Sequence, residues 1–162
     1  MNILDAPVPP GSLIADFAER AGHYTDCFEV EIADTVTLEG LIRAFYTQPL
    51  FRAERLVLRV LARSPSSDAD VRALAAGTQA EFAVWTVMDR KETEILMQDR
   101  SGRTLSWLQA DGQKLWFGSV VVPVKGRGGE LTLGPVFHSL LGAHKLYSRA
   151  LLAGAVRRLG KV

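Results

Sequence analysis

The chain has little of several residue types that often reveal a function. Its 162 residues include one cysteine, Cys27, so neither an internal disulfide nor a cysteine-based metal cluster can form, which fits a reducing compartment. Lys and Arg total 19 against 18 Asp and Glu, a formal net charge of +1. No overall field therefore favours nucleic acid or an acidic partner, and we expect no nucleic-acid ligand.

Signals for membranes and for export are lacking as well. No stretch approaches the roughly 18 apolar residues that suggest a membrane span. The opening residues, MNILDAPVPPG, lack the basic start and the apolar run of a secretion signal. We therefore expect a cytoplasmic protein. Because the chain has 162 residues, of which 48% are apolar, we expect one folded domain over 1–162, with an irregular lead-in at 1–11.

Motifs of the common enzyme and cofactor classes are missing too. The chain has no G-x-S-x-G elbow, no H-E-x-x-H, no P-loop and no dinucleotide glycine fingerprint, so we expect no cofactor and no metal. The glycine-rich stretch at 126–129 joins two predicted strands rather than a strand and a helix. A phosphate cradle needs amides at a helix start, so we interpret this stretch as a hairpin turn.

The first half of the chain contains a strand among helices. An alternating pattern predicts a strand over 23–32, with Asp26, Phe28 and Val30 on one side and Cys27, as a buried inert thiol, on the other. A helix is predicted before this strand, over 13–21. Further helices are predicted after it: 37–45 with a Thr37 cap, 51–63 and 70–76.

The second half is rich in strand patterns separated by turn signals. Strands are predicted over 81–88, 92–98, 103–110, 114–125 and 130–137. The turn signals at 99–102 and at Asp111-Gly112 are short, and short turns link antiparallel neighbours. We therefore predict a five-strand antiparallel meander over 81–137.

A long amphipathic helix is predicted over 140–159. At about 100° of rotation per residue, one arc of this helix collects the apolar side chains. His144 and Tyr147 fall inside this arc, together with Leu140, Leu141, Leu151, Leu152, Ala155 and Leu159. Such a helix must bury its apolar stripe against another layer. We therefore expect an α+β fold in which a sheet covers the helix and leaves a cavity between them.

Four short stretches carry a resemblance to a known family: 24–28 (YTDCF), 43–46 (RAFY), the turn at 99–100, and Phe137-His138 followed by Gly142. With the order of elements, they resemble the START-like (SRPBCC) superfamily, and more narrowly a bacterial family of uncharacterised START-like proteins. The resemblance implies the helix-grip fold, a curved antiparallel sheet wrapped around a long C-terminal helix, and no established activity. The chain departs from that family at Ser139, where asparagine is usual, and at Leu151-Leu152, where a second Pro-Phe-His is usual.

The candidate ligand-binding residues lie on the predicted sheet and the final helix: His138, His144, Tyr147, Leu151, Trp107 and Trp116. We predict that they bind a small hydrophobic molecule or lipid, with apolar carbon giving affinity and one or two polar groups giving orientation. The histidines could instead be structural, and the tryptophans could be core residues. Two imidazoles six residues apart do not form a recognised metal spacing.

Two other functions stay open at this point. The first is an enzyme of cyclase or hydrolase type that uses His138 or His144 as acid–base, since an imidazole titrates near neutral pH. The second is a non-catalytic interaction module, or a homodimer, that pairs through the sheet edge or through an arginine stripe.

The arginine stripe lies on one face of the predicted helix over 51–63. It comprises Arg52, Arg55, Arg59 and Arg63, and we expect it to be solvated and opposite a buried apolar face of Leu56, Val57, Val60 and Leu61. The basic side of the final helix is expected to be solvated as well. The alternative partner is an anion or a membrane surface for the arginine stripe, and a membrane surface for the basic side of the final helix.

Overall fold

The computed structural model describes residues 2–61, 63–126, 128–133 and 135–160, and the side chains at 61 and 135–140 lie outside this description. Within these ranges the chain is α+β, with a seven-stranded antiparallel sheet and a separate two-stranded ribbon. The helices are α1 (Ala15–Ala18), α2 (Leu38–Thr47), α3 (Pro49–Leu61), α4 (Asp68–Ala75) and α5 (Pro135–Leu159). The strands are β1 (Leu4–Asp5), β2 (Tyr24–Glu31), β3 (Glu81–Phe82), β4 (Trp85–Arg90), β5 (Glu94–Asp99), β6 (Thr104–Asp111), β7 (Lys114–Val121), β8 (Val124–Lys125) and β9 (Leu131–Thr132).

The large sheet is an open sheet in which a five-strand meander is extended at one side by two strands from earlier in the chain. Strands β3 to β7 follow one another as neighbours, and β2 pairs with β7, which gives the order β1-β2-β7-β6-β5-β4-β3. Directly paired residues share a face of the sheet. The register therefore sets Asp26, Ser119 and Ser106 side by side across β2, β7 and β6.

One face of the sheet carries the helices and the larger core. The helices α2 and α5 pack on this face and on each other. The apolar side of α2 is buried there because its periodicity places large side chains on a single face. The buried residues that meet in this layer include Phe28, Leu41, Ile42, Phe45, Leu108, Phe117, Leu152 and Ala155.

The other face of the sheet is covered by the N-terminal segment. Ile14 and Trp107 are fully buried there, and an added Cβ at Gly118 would lie 3.0 Å from Ile14 and 3.1 Å from Trp107. Glu94 ties the segment down, since its Oε2 accepts hydrogen bonds from the Leu13 amide and from Trp107 Nε1, both at 2.8 Å. This face is therefore a second, separate core.

Helix ends follow from ordinary capping chemistry. The Thr37 side chain accepts a hydrogen bond from the Gly40 amide at 3.2 Å, as predicted for the start of α2. Ser67 and Asp70 form a reciprocal capping box at the start of α4. Pro49 opens α3, where the missing amide hydrogen costs nothing.

Several predicted boundaries at the sheet are wrong. The strand predicted over 81–88 is two strands, β3 and β4, joined by a tight turn in which Ala83 has a φ of 53°. The strand predicted over 114–125 ends at Val121, shortly before Pro123, which has no amide hydrogen for a sheet. The lead-in predicted as irregular contains β1, which pairs with β2.

The strand predicted over 130–137 is also wrong. Leu131 and Thr132 pair with β8 in the separate ribbon, and α5 begins at Pro135 rather than at 140. The physical reason is that proline favours the first helical position. The glycine-rich stretch links β8 to β9 as the predicted turn, and its Arg127 lies outside the described residues.

The orientation predicted for the arginine stripe is wrong in part: Arg52, Arg59 and Arg63 are exposed as expected, but the fourth arginine and the apolar face are not placed as predicted. Arg55 is buried, and its guanidinium donates to Asp68 Oδ1 at 2.7 Å and to the Ser66 carbonyl at 2.7 Å. Leu56, Val57 and Val60, which were expected to be buried, are exposed instead. The buried guanidinium with its partners determines how α3 is rotated. None of the helices within the described ranges has the length and apolar content that a membrane crossing requires.

Candidate functional site

A cavity of about 160 Å³ lies between the helices and the sheet. α5 supplies His144, Tyr147, Ser148 and Leu151 to its wall. The remaining walls are largely aromatic, with Phe45, Tyr46 and Phe51 from the other helices and Trp85 and Phe117 from the strands. Leu105 and the polar residues Glu54, Thr104, Ser106 and Ser119 complete the lining. The cavity is thus mainly apolar with a few hydrogen-bonding groups.

His144 meets two oxygens at one end of the cavity. Its Nε2 lies 2.9 Å from Ser119 Oγ and 3.2 Å from Asp26 Oδ2. The Ser119 hydroxyl donates its hydrogen to Asp26 Oδ1 at 2.6 Å. The Ser119 oxygen therefore turns a lone pair toward His144. Both neighbours of Nε2 are therefore acceptors, and this geometry requires the hydrogen on Nε2. When His144 is fully protonated, it forms an ion pair with Asp26.

This cluster differs from a nucleophilic triad. In a Ser-His-Asp triad the serine and the acid contact opposite ring nitrogens, so that the histidine can accept the serine proton. Here Ser119 and Asp26 both contact Nε2 of His144. The arrangement can hold a hydrogen-bond donor in place, but it does not activate Ser119.

Tyr24 completes the setting of Asp26. Its hydroxyl donates to Asp26 Oδ2 at 3.3 Å, and its ring meets the His144 ring edge-on at a centroid distance of 6.1 Å. Burial, and then the negative charge of Asp26, raise the pKa of Tyr24. Tyr24 therefore stays a neutral donor toward the carboxylate.

A second polar pair joins α3 to α5 at the cavity. The Tyr147 hydroxyl donates to Glu54 Oε2. Burial raises the pKa of Glu54, and the hydrogen bond from Tyr147 opposes part of that shift. Burial, and then the bond to Glu54, raise the pKa of Tyr147. This pair links α3 to α5 beside the cavity.

One lining residue has an unused donor. The Nε1 of Trp85 is buried and has no hydrogen-bond partner among the described residues. Buried polar groups are nearly always hydrogen-bonded, and such an exception calls for an explanation. An acceptor atom of a bound molecule would supply the partner.

The structure brings three predicted site residues together and separates the others. His144, Tyr147 and Leu151 all line the cavity. Trp107 and Trp116 do not, because both belong to the core on the opposite face of the sheet; Trp85 is the tryptophan at the cavity. His138 lies in α5 rather than at the end of a strand, and its side chain lies outside the described residues.

Several site residues were not predicted. Asp26 had a signal in the sequence, since the alternation of β2 sets this acid on the same side as Phe28 and Val30, where an ordinary solvated carboxylate would not lie. Ser119 and Glu54 had no such signal. Their positions follow from the pairing of β2 with β7 and from the rotation of α3, and neither can be determined from a local pattern.

Among the described residues, no three His, Cys, Asp or Glu side chains lie close enough to hold a metal ion.

Comparisons with protein-family models, with curated proteins and with solved structures find no match in any of the three sets. The resemblance to the START-like superfamily therefore stays a prediction.

Proposed function

We propose that this protein binds a small, mostly apolar molecule, about the size of one aromatic ring, between the sheet and α5. The observation that carries the proposal is the cavity of about 160 Å³ with its aromatic walls. An apolar cavity of roughly 150 Å³ stays dry and binds benzene. Larger ligands occupy pockets of about 300–1,000 Å³, so the cavity favours a single ring over a long lipid chain.

The polar groups favour a ligand that carries one acceptor atom. The buried Trp85 Nε1 donor has no partner among the described residues, so an acceptor atom on the ligand would satisfy it. Burial of about 150–200 Å² of ligand carbon contributes roughly 4–5 kcal/mol at about 25 cal/mol per Å². That free energy corresponds to a Kd on the order of 0.1–1 mM.

The helix-grip architecture is part of the same proposal. The meander followed by a long C-terminal helix on one sheet face supports it. The START-like family and a cytoplasmic setting stay predictions on the grounds given by the sequence.

The test is a titration of the protein with toluene and benzaldehyde, followed by NMR chemical shifts. We expect saturable binding of both, with benzaldehyde tighter because it offers an acceptor. The variant Ser148→Leu adds carbon inside the cavity and should weaken binding at least tenfold. Ala143→Leu, on the exposed surface of the same helix, should bind as the wild type does. Equal binding by Ser148→Leu, or no binding by the wild type near 10 mM ligand, would contradict the proposal.

The contacts of His144 favour one alternative, an enzyme in which this histidine exchanges a proton with the bound molecule. Asp26 and Ser119 reach the imidazole, as acid–base chemistry requires. Mass spectrometry of ligands recovered after incubation separates the two functions. Recovery of unchanged ligands supports binding alone. A product that the wild type forms and His144→Asn does not form supports catalysis.

A further inference from the structure

The helix α3 is apolar on two sides, and one of them is open to solvent. Phe51 turns into the core, while Leu56, Val57 and Val60 are 62%, 53% and 67% exposed. Leu50 extends the open side at the start of the helix. A row of large apolar side chains in water costs free energy unless something covers it, and such patches often mark an interaction surface.

The exposed surface continues onto α5. Leu146 is 71% exposed and precedes Ala150 by one helical turn, so both lie on one side of α5. Ala150 shares a surface cleft with Leu50 of α3. We define the α3 patch as the five side chains Leu50, Leu56, Val57, Val60 and Leu146.

The two helices that carry the patch are strongly cationic. Together α3 and α5 hold seven Lys or Arg residues and one acid, Glu54, in a chain with a net charge of +1. The rest of the chain is therefore net acidic. Arg59, Lys145 and Arg157 are exposed, and none has an ion-pair partner within the described ranges. The same two helices thus carry both the exposed apolar side chains and these exposed positive charges.

We propose that the α3 patch docks on an anionic lipid bilayer, with α3 lying in the plane of the interface. A helix with an apolar side, flanking arginines and low net hydrophobicity has the composition of such helices. The apolar side chains would enter the acyl boundary while Arg59 and Lys145 reach the lipid phosphates. This proposal does not depend on a ligand in the cavity.

A second copy of the chain fits the patch less well. Five side chains are few compared with the roughly 20–30 residues that each partner contributes to a stable interface. A twofold contact also brings each residue near its own copy or its neighbours. Arg59 and Lys145 would then face like charges, whereas anionic lipid neutralises them.

The test is co-sedimentation of the full chain with vesicles at low salt. We expect binding to vesicles of phosphatidylglycerol and phosphatidylcholine, weaker binding to phosphatidylcholine alone, and loss of binding as salt rises. The double variant Leu56→Gln with Val60→Gln should bind at least tenfold more weakly. Arg59→Gln with Lys145→Gln should bind about thirtyfold more weakly, since each basic residue contributes about 1 kcal/mol near an anionic surface. Met88→Gln, an exposed residue on β4 outside the patch, should bind as the wild type does.

Four outcomes would overturn the proposal. The first is no binding to the anionic vesicles. The second is equal binding to phosphatidylcholine alone. The third is unchanged binding by the Leu56 and Val60 double variant. The fourth is a concentration-dependent dimer that this double variant abolishes, since the patch would then belong to a second copy of the chain.

Discussion

Two carboxyl groups near the cavity, those of Asp26 and Glu54, differ in their hydrogen-bond partners. Asp26 accepts hydrogen bonds from the Ser119 amide and hydroxyl and faces His144, so its negative charge is well satisfied. Glu54 accepts one hydrogen bond, from Tyr147, and burial has the larger effect on it. The fold therefore favours the protonated form of Glu54, although its sequence neighbours give no hint of this.

The raised pKa of Glu54 predicts a pH-dependent stability. The folded chain holds more protons than the unfolded chain between the ordinary value of 4.5 and the higher folded pKa. The stabilisation by the protonated side chain is complete below 4.5 and is lost as the pH rises through the folded pKa. We expect the free energy of unfolding of the wild type to fall over this window relative to Glu54→Gln, which does not titrate.

Urea denaturation at a series of pH values measures this difference. Glu92→Gln is the matched control, because Glu92 is exposed and should leave the wild-type curve unchanged. Parallel curves for the wild type and Glu54→Gln would contradict the expectation.

A whole helix or strand was predictable where a single apolar face determines its type and its orientation. The strand β2 and the helix α2 follow from their alternation and periodicity, and Thr37 caps α2 as expected. The rotation of α3 was not predictable, because both of its sides are apolar and the buried contacts of Arg55 decide between them. The faces of Trp107 and Trp116 needed the register of the sheet, which a local pattern does not contain.

The packing of α5 against the junction of α2 and α3 gives a prediction for Gly154. The buried Gln48 amide donates to the Leu151 carbonyl at 2.6 Å and occupies the space that a Cβ at Gly154 would need. Gly154→Ala must displace this amide and break its hydrogen bond. We expect a loss of about 1–3 kcal/mol of stability, despite the better helix propensity of alanine.

Gly142 in the same helix is the matched control for Gly154. Among the described residues, no side chain lies within 4 Å of a Cβ added there. Gly142→Ala should therefore gain about 0.5–1 kcal/mol from helix propensity. Thermal or urea unfolding of both variants measures the pair. An equal gain in stability at both positions would show that Gln48 does not hold α5.

At the scale of the whole molecule, the sheet separates two cores, and the cavity lies on the side of only one of them. The helical side holds the cavity, and the other side is closed by the N-terminal segment over Trp107 and Trp116. Gly118 and Ser119 are adjacent on β7, yet the first lies under Trp107 and the second reaches His144. β7 therefore contributes to the core on one side of the sheet and to the contacts of His144 on the other.

Glu94 is where this closure can be tested. Its buried carboxylate accepts hydrogen bonds from the Leu13 amide, from Trp107 Nε1 and, through Oε1, from Lys91 Nζ at 2.8 Å. Glu94→Gln keeps the shape but replaces one acceptor oxygen with a donor. We expect a loss of about 2–3 kcal/mol, because hydrogen bonds to a charged acceptor are stronger than neutral ones.

For Glu94→Gln, limited proteolysis distinguishes local detachment of the N-terminal segment from unfolding of the whole chain. We expect cleavage to begin within residues 6–17 under conditions where the rest of the chain stays intact, because that segment loses its tie to β5. Glu92→Gln, two residues away and exposed, should resist cleavage as the wild type does. If Glu94→Gln lost stability without early cleavage in that segment, the carboxylate would support the sheet rather than the N-terminal cover.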